Sequence, residues 1–150
     1  MFLLLALLGT ALSWMTSPWA TKSTKVVDCG VGKSVFTIDA LSLDPAQPVP
    51  GENVSLYLDY SVPAGVTVND GEARYAVTYN FLPLTPTVEP LCKNIPCPLS
   101  GGSYSNVTYM QWPSSLSGSL VTKIMWFDGH GVLLLCIQLS TTLQKVTPSS

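Results

Sequence analysis

Cys92 and Cys97, in the stretch LCKNIPCPLSGGSYSNVTY, place two sulfurs five residues apart with a proline after the second. Such a pair can hold a metal, exchange with other disulfides, or close a loop. Zinc needs further sulfur or imidazole ligands, and His130 is the only histidine in the chain. A redox pair takes the C-x-x-C spacing, which the four intervening residues Lys93 to Pro96 exclude. Loop closure is the reading that fits.

Other candidate chemistry is thin. Gly30-Val31-Gly32-Lys33-Ser34 imitates the end of a phosphate-binding loop, but the first glycine of that motif falls on Val27, and β-pattern residues follow where a helix is needed. Nucleophilic catalysis would have to use His130 as its base, and a histidine between Gly129 and Gly131 in a turn reads as an exposed turn residue. No G-x-S-x-G elbow accompanies it. The nine Asp and Glu are not clustered in an aromatic stretch of the kind a two-carboxylate hydrolase would use. Calcium-loop and zinc-helix motifs are absent, so neither a metal nor a cofactor is expected and the chain does not read as an enzyme.

Charge and export bound the remaining options. Charged residues are 11% of the 150, net −2, with the seven basic residues scattered. Nucleic acid requires clustered Lys and Arg and is not an expected partner. Residues 1–20 carry an eleven-residue apolar run, Phe2 to Leu12, followed by small and polar residues. That is the layout of a secretory signal peptide, with cleavage after Ser17 or Ala20, and it is shorter than the roughly 20 residues a membrane span needs. In an oxidising compartment the four cysteines read as two disulfides. Three pairings are possible. The short span between Cys92 and Cys97 favours that pair, leaving Cys29 for Cys136 and a loop whose closure is worth up to ~5 kcal/mol. The sequons Asn53-Val54-Ser55 and Asn106-Val107-Thr108 fit export, and each predicts a surface asparagine.

The elements that must position these residues are strands. Val54, Leu56, Leu58, Tyr60 and Val62 alternate with Ser55, Tyr57, Asp59 and Ser61, between Pro50-Gly51 and Pro63, which is expected to end the strand. Ala73, Tyr75, Val77, Tyr79 and Phe81 form a second such face after Asn69-Asp70-Gly71. Phe36, Ile38 and Ala40 suggest an earlier strand, and residues 119–127 and 132–140 a hairpin around Asp128-Gly129-His130-Gly131. The spacing predicts an all-β sandwich or barrel formed by one domain over residues 21–144, with 145–150 a disordered tail. The run from Phe81 to Leu91 has three prolines, which forbid a central strand, and is too apolar for an ordinary loop. It reads as a stiff segment tucked against the core, or as the rim of an apolar opening.

Taken in order, Asp28-Cys29-Gly30, GENVSLYLDYSV, the proline-rich run into EPLCKNIPCPL, and SLVTKIMWFDGHGVLLLCIQL resemble the ML lipid-recognition domain family, most of all its sterol-transfer branch and its phosphatidylglycerol/phosphatidylinositol transfer proteins. The resemblance runs from Asp28 to about Leu143. It implies an immunoglobulin-like two-sheet β-sandwich with an apolar lipid cavity between the sheets, no catalysis, and the pairings Cys29–Cys136 and Cys92–Cys97. Two departures stand out. The region 43–48 lacks the cysteine of a third family disulfide, and Thr85, flanked by Phe81 and Leu84, stands near the family's aromatic position.

Strand faces and family likeness together nominate Phe36, Leu58, Tyr60, Tyr79, Phe81, Leu84, Tyr109, Trp126 and Leu135 as the lipid lining. The expected molecule is a monomeric, glycosylated carrier of a sterol or phospholipid acyl chain, secreted or in the endolysosomal lumen. It would meet membranes or a membrane lipid transporter only transiently. The rival is a glycosylated extracellular module that presents a surface to a receptor, with or without a lipid co-ligand.

Overall fold

The computed structural model describes residues 24–143. The expected signal peptide and the tail from residue 145 lie outside them. Nine strands follow in order: β1 (Lys25–Asp28), β2 (Thr37–Asp44), β3 (Asn53–Val68), β4 (Gly71–Tyr79), β5 (Leu82–Pro83), β6 (Thr87–Pro90), β7 (Leu99–Gln111), β8 (Gly118–Asp128) and β9 (Leu133–Leu143), with a 3-10 turn at Leu91–Lys93. No α-helix occurs among the described residues.

The strands form two antiparallel sheets. One has the order β1-β9-β8-β4-β5, with β6 also on β4; the other has β2-β3-β7. Period-two alternation dictates how they face each other. On β3, Val54, Leu56, Leu58, Tyr60 and Val62 are buried, while Tyr57 and Asp59 are exposed. On β9 and β8, Leu135 pairs with Trp126 and Ile137 with Ile124, all four buried. These two faces supply the core that joins the sheets into an all-β sandwich.

Two expectations about strand ends are corrected by the pairing. Pro63 does not end β3, which runs on to Val68. Its partners skip from Val62 to Thr67, so Pro63 lies in an irregularity where no ladder N–H is asked of it. The proline-rich run is not tucked against the core. Leu82-Pro83 and Thr87–Pro90 pair with β4 as two short edge strands, and residues 81–88 are exposed. An edge strand has one unpaired side, which is where a proline is tolerated.

Both disulfides form with the expected pairing. Cys29–Cys136 has Cα atoms 5.0 Å apart and ties the segment after β1 to the middle of β9, where the Cys29 N–H also donates to the Cys136 carbonyl at 3.0 Å. Cys92–Cys97, with Cα atoms 5.5 Å apart, closes the loop between β6 and β7.

Gly71 marks the tightest backbone approach. A Cβ there would stand 2.1 Å from the Phe127 carbonyl oxygen and 3.2 Å from the Asp128 Cα. Gly71→Ala must therefore splay the start of β4 from the end of β8, and is expected to cost about 1–3 kcal/mol by urea unfolding.

Candidate functional site

The space between the sheets has a closed part and an open part. In the closed part, Phe36 stacks on Tyr60 with ring centroids 5.6 Å apart, Tyr60 stacks on Tyr104 at 5.7 Å, and Trp126 meets Tyr60 edge-on at 5.4 Å. Leu58 and Leu135 are buried alongside in the same core. Five of the nine nominated lining residues, Phe36, Leu58, Tyr60, Trp126 and Leu135, are thus brought together, and they pack on one another.

The open part is the edge between β4 and β7. Register places Tyr75, Val77 and Tyr79 of β4 on the same face as buried Ala73, and Leu120 and Thr122 of β8 on the same face as Ile124. Across from them, Tyr104, Asn106, Thr108 and Met110 of β7 share the face of buried Tyr60, Leu58, Leu56 and Val54. In a closed sandwich such residues would be as inaccessible as their neighbours. All nine are instead partly reached by solvent. The inner face along this edge is therefore less fully covered than the rest of the core, although Tyr75, Tyr104, Met110 and Leu120 still pack against it, and it is mostly apolar and aromatic.

Polar groups frame one end of the opening. Asn106 Nδ2 of β7 donates to the Asn94 carbonyl at 2.9 Å, Asn94 Nδ2 donates to Glu89 Oε1 at 2.9 Å, and the Tyr75 hydroxyl donates to the same oxygen at 2.8 Å. The loop closed by Cys92–Cys97 thus links β4 and β6 of one sheet to β7 of the other. At the other end, the Tyr79 hydroxyl donates to the Ser117 carbonyl at 2.6 Å, and Asn80 Oδ1 accepts the Ser119 N–H at 2.9 Å. Those bonds tie the β4–β5 turn to the start of β8.

The remaining nominated residues lie elsewhere. Tyr79 lies on the partly exposed inner face of β4. Phe81 and Leu84 are on the outer rim, Phe81 87% exposed, and Tyr109 is 79% exposed on the outer face of the three-stranded sheet. Alternation explains Tyr109: it is one step out of phase with inward Thr108 and Met110. Phe81 fails for another reason, since Asn80 and Phe81 both turn the chain at positive φ (46° and 67°), which breaks the alternation begun at Ala73. A shallow open groove of about 380 Å³ runs beside Tyr109, lined by Asn53, Val54, Ser55, Met110 and Gln111. Asn106 is corrected as well. Its side chain is inward and half-buried, whereas Asn53 is exposed.

No group of three or more His, Cys, Asp or Glu that could hold a metal occurs among the described residues. His130 sits exposed in the β8–β9 turn, where Asp128 Oδ1 accepts the backbone N–H of His130 at 2.8 Å and of Val132 at 2.9 Å. That arrangement builds a turn.

Titration follows from the same contacts. Burial, and then the neighbouring Tyr104, push the Tyr60 hydroxyl up to about 12. Burial first, then the hydrogen bond and charge of Glu89, push Tyr75 up to about 12. Hydrogen bonds from Asn94 and Tyr75 hold the Glu89 carboxyl below its ordinary value. A raised folded-state value means stability that is complete below the ordinary tyrosine pKa and lost as pH rises from about 10 through about 12. Urea unfolding between pH 8 and 12 should show this loss, with a shallower slope in Tyr75→Phe. Glu89 acts in the opposite direction: its contribution is present above the ordinary carboxylate pKa and disappears as pH falls through its lowered one.

Comparison with known proteins agrees with this architecture. The family model of the ML domain matches residues 23–143. Two putative phosphatidylglycerol/phosphatidylinositol transfer proteins of Dictyostelium discoideum are similar, one 24% identical over 122 residues (79% of this chain, 80% of that protein) and one 25% identical over 128 residues (83% of each). Among solved structures, a Niemann-Pick type C2 protein from the Japanese carpenter ant shares the fold at TM-score 0.62 and 14% identity, covering 80% of this chain and 99% of that one. Chicken MD-1, solved in complex with lipid IVa, superposes at TM-score 0.52 and 10% identity, covering 80% and 88%. Lipid binding or transfer without catalysis is the activity that the family match and the two transfer-protein relatives support. By its strands, its two bridges and this match over nearly all its described length, the chain belongs to the ML domain family.

Proposed function

We propose that the chain is an exported carrier that holds one sterol or one phospholipid acyl chain between its sheets, with the β4–β7 edge as the mouth. The observation that carries this is the partial exposure of an inner, mostly apolar face along that edge, beside a core that is otherwise closed. Removing several hundred Å² of lipid surface from water gains on the order of 10 kcal/mol gross, at about 25 cal/mol per Å², before ordering costs. Two disulfides and the ML-domain fold support a secreted or lysosomal setting. Titration with a fluorescent sterol and a fluorescent phospholipid tests the reading. Saturable binding of at least one at one site per chain is expected, and binding of neither would end it.

The rim supports a bilayer as the place of exchange. Phe81, Leu82 and Leu84 protrude beside the mouth, and residues 75–88 carry no charge. Phe81 is also held in a left-handed conformation that costs a non-glycine residue roughly 1–2 kcal/mol. Phe81→Gly should therefore raise thermal stability while slowing lipid transfer between vesicles. A variant that gained stability and transferred at the parent rate would remove Phe81 from the docking surface.

The exposed Tyr57, Val107 and Tyr109 on the outer face of the β2-β3-β7 sheet favour the receptor-presenting module as the second reading. Glycan placement bears on that face. Asn53 is free to carry a sugar there, while the Nδ2 of Asn106 is already engaged inside. Peptide mapping of the secreted protein should find Asn53 occupied and Asn106 bare.

A further inference from the structure

The indole nitrogen of Trp112 is the one buried side-chain polar atom found without a hydrogen-bond partner among the described residues. Trp112 is 4% exposed and belongs to the core that joins the sheets. Its backbone extends the β7 ladder by one more pair, donating to the Glu52 carbonyl at 2.8 Å and accepting from Gly51 at 2.9 Å. Two residues beyond Met110, it stands on the face of β7 that looks toward the other sheet. The chain continues directly into the 112–117 segment, where the Ser117 carbonyl receives the Tyr79 hydroxyl at the end of the mouth.

A buried donor with no acceptor is unfavourable, and native interiors rarely retain one unless something else satisfies it. A tryptophan N–H is a donor only, so what it lacks is an acceptor. Phenylalanine would fill much of the same apolar space without that demand. We propose that Trp112 is a ligand-selecting residue whose N–H donates to an oxygen of the bound lipid, so that the carrier favours lipids bringing a hydroxyl or carbonyl oxygen between the sheets. This rests on the carrier reading above and adds to it the chemical feature the interior selects.

Two matched pairs of lipid separate the possible sources of that oxygen. Cholesterol is compared with 5-cholestene, which lacks the hydroxyl, and a diacyl phosphatidylglycerol with its dialkyl ether, which lacks the carbonyls. The wild-type protein should bind cholesterol or the diacyl lipid about five- to tenfold more tightly than its matched partner. Trp112→Phe should erase that preference while binding the other member as before and unfolding at no lower temperature. In addition, the wild-type indole ¹H–¹⁵N resonance of Trp112 should move downfield with the preferred lipid and not with its matched partner. Equal preference in wild type and Trp112→Phe, no preference in wild type, or an indole resonance unmoved by lipid would each overturn the assignment while leaving the carrier standing. Failure of all four lipids to bind would overturn both.

Discussion

Replacing Cys29 and Cys136 together by serine is expected to cost about 4–5 kcal/mol of stability, enough to leave much of the chain unfolded at physiological temperature. The bridge spans 107 residues, and the entropy it removes from the unfolded chain grows with the logarithm of that separation. It also anchors the segment carrying β1 to β9, whose Leu134, Leu135 and Ile137 are among the most deeply buried side chains. The same replacement at Cys92 and Cys97 removes a bridge that spans a separation of only 5, and should cost about 2 kcal/mol. Its larger consequence falls on ligand binding. Freeing that loop loosens Asn94, which ties Glu89 and Tyr75 to Asn106 across the mouth. Denaturant unfolding should show the larger loss in the Cys29/Cys136 variant, and lipid titration should show weakened binding in the Cys92/Cys97 variant under conditions where it is still folded.

Val77→Trp is expected to lower lipid affinity by tenfold or more while changing stability by no more than about 1 kcal/mol. Val77 lies opposite Thr122 on the inner face and is partly open to solvent, so the larger ring has somewhere to go without displacing packed neighbours. It goes where an acyl chain or sterol would lie. Trp126→Ala makes the reciprocal case. Trp126 is buried against Tyr60, and its loss should cost about 3–5 kcal/mol because the closed core cannot collapse around the void. The pair distinguishes lining from core by measurement: one variant loses ligand and keeps its fold, the other loses fold first.

Alternation made β3, β4 and the β8–β9 hairpin legible, because a strand buried on one face writes its burial into every second residue. Strand β7 was not legible in the same way. Its inward residues are Tyr104, Asn106, Thr108 and Met110, two of them polar, so the hydrophobic signal is missing although the ladder with β3 is long. An inner face that solvent partly reaches does not have to be fully apolar. Pro63 misled, since an irregularity in β3 absorbs it, while Pro83 and Pro90 sit on edge strands and so keep to the rule that excluded a central strand. The site was half legible. Period two could place Tyr79 on an inner face, but it cannot distinguish a packed inner residue such as Leu58 from an open one such as Val77, because both obey the same repeat. Phe81 looked inward only because the turn at Asn80 is invisible to a repeat that assumes the strand continues. Trp112 belongs to the aromatic surplus of the sequence, but its unsatisfied donor gave no signal there, as such a group exists only in three dimensions.

Native mass spectrometry of the protein secreted from eukaryotic cells, followed by extraction and identification of what it carries, tests the central claim most directly. The account predicts a population heavier than the glycosylated chain by the mass of one lipid, a sterol or a phospholipid, that is lost in Val77→Trp. A protein that leaves the cell with no bound lipid, and takes up none when offered sterol or phospholipid vesicles, would contradict it.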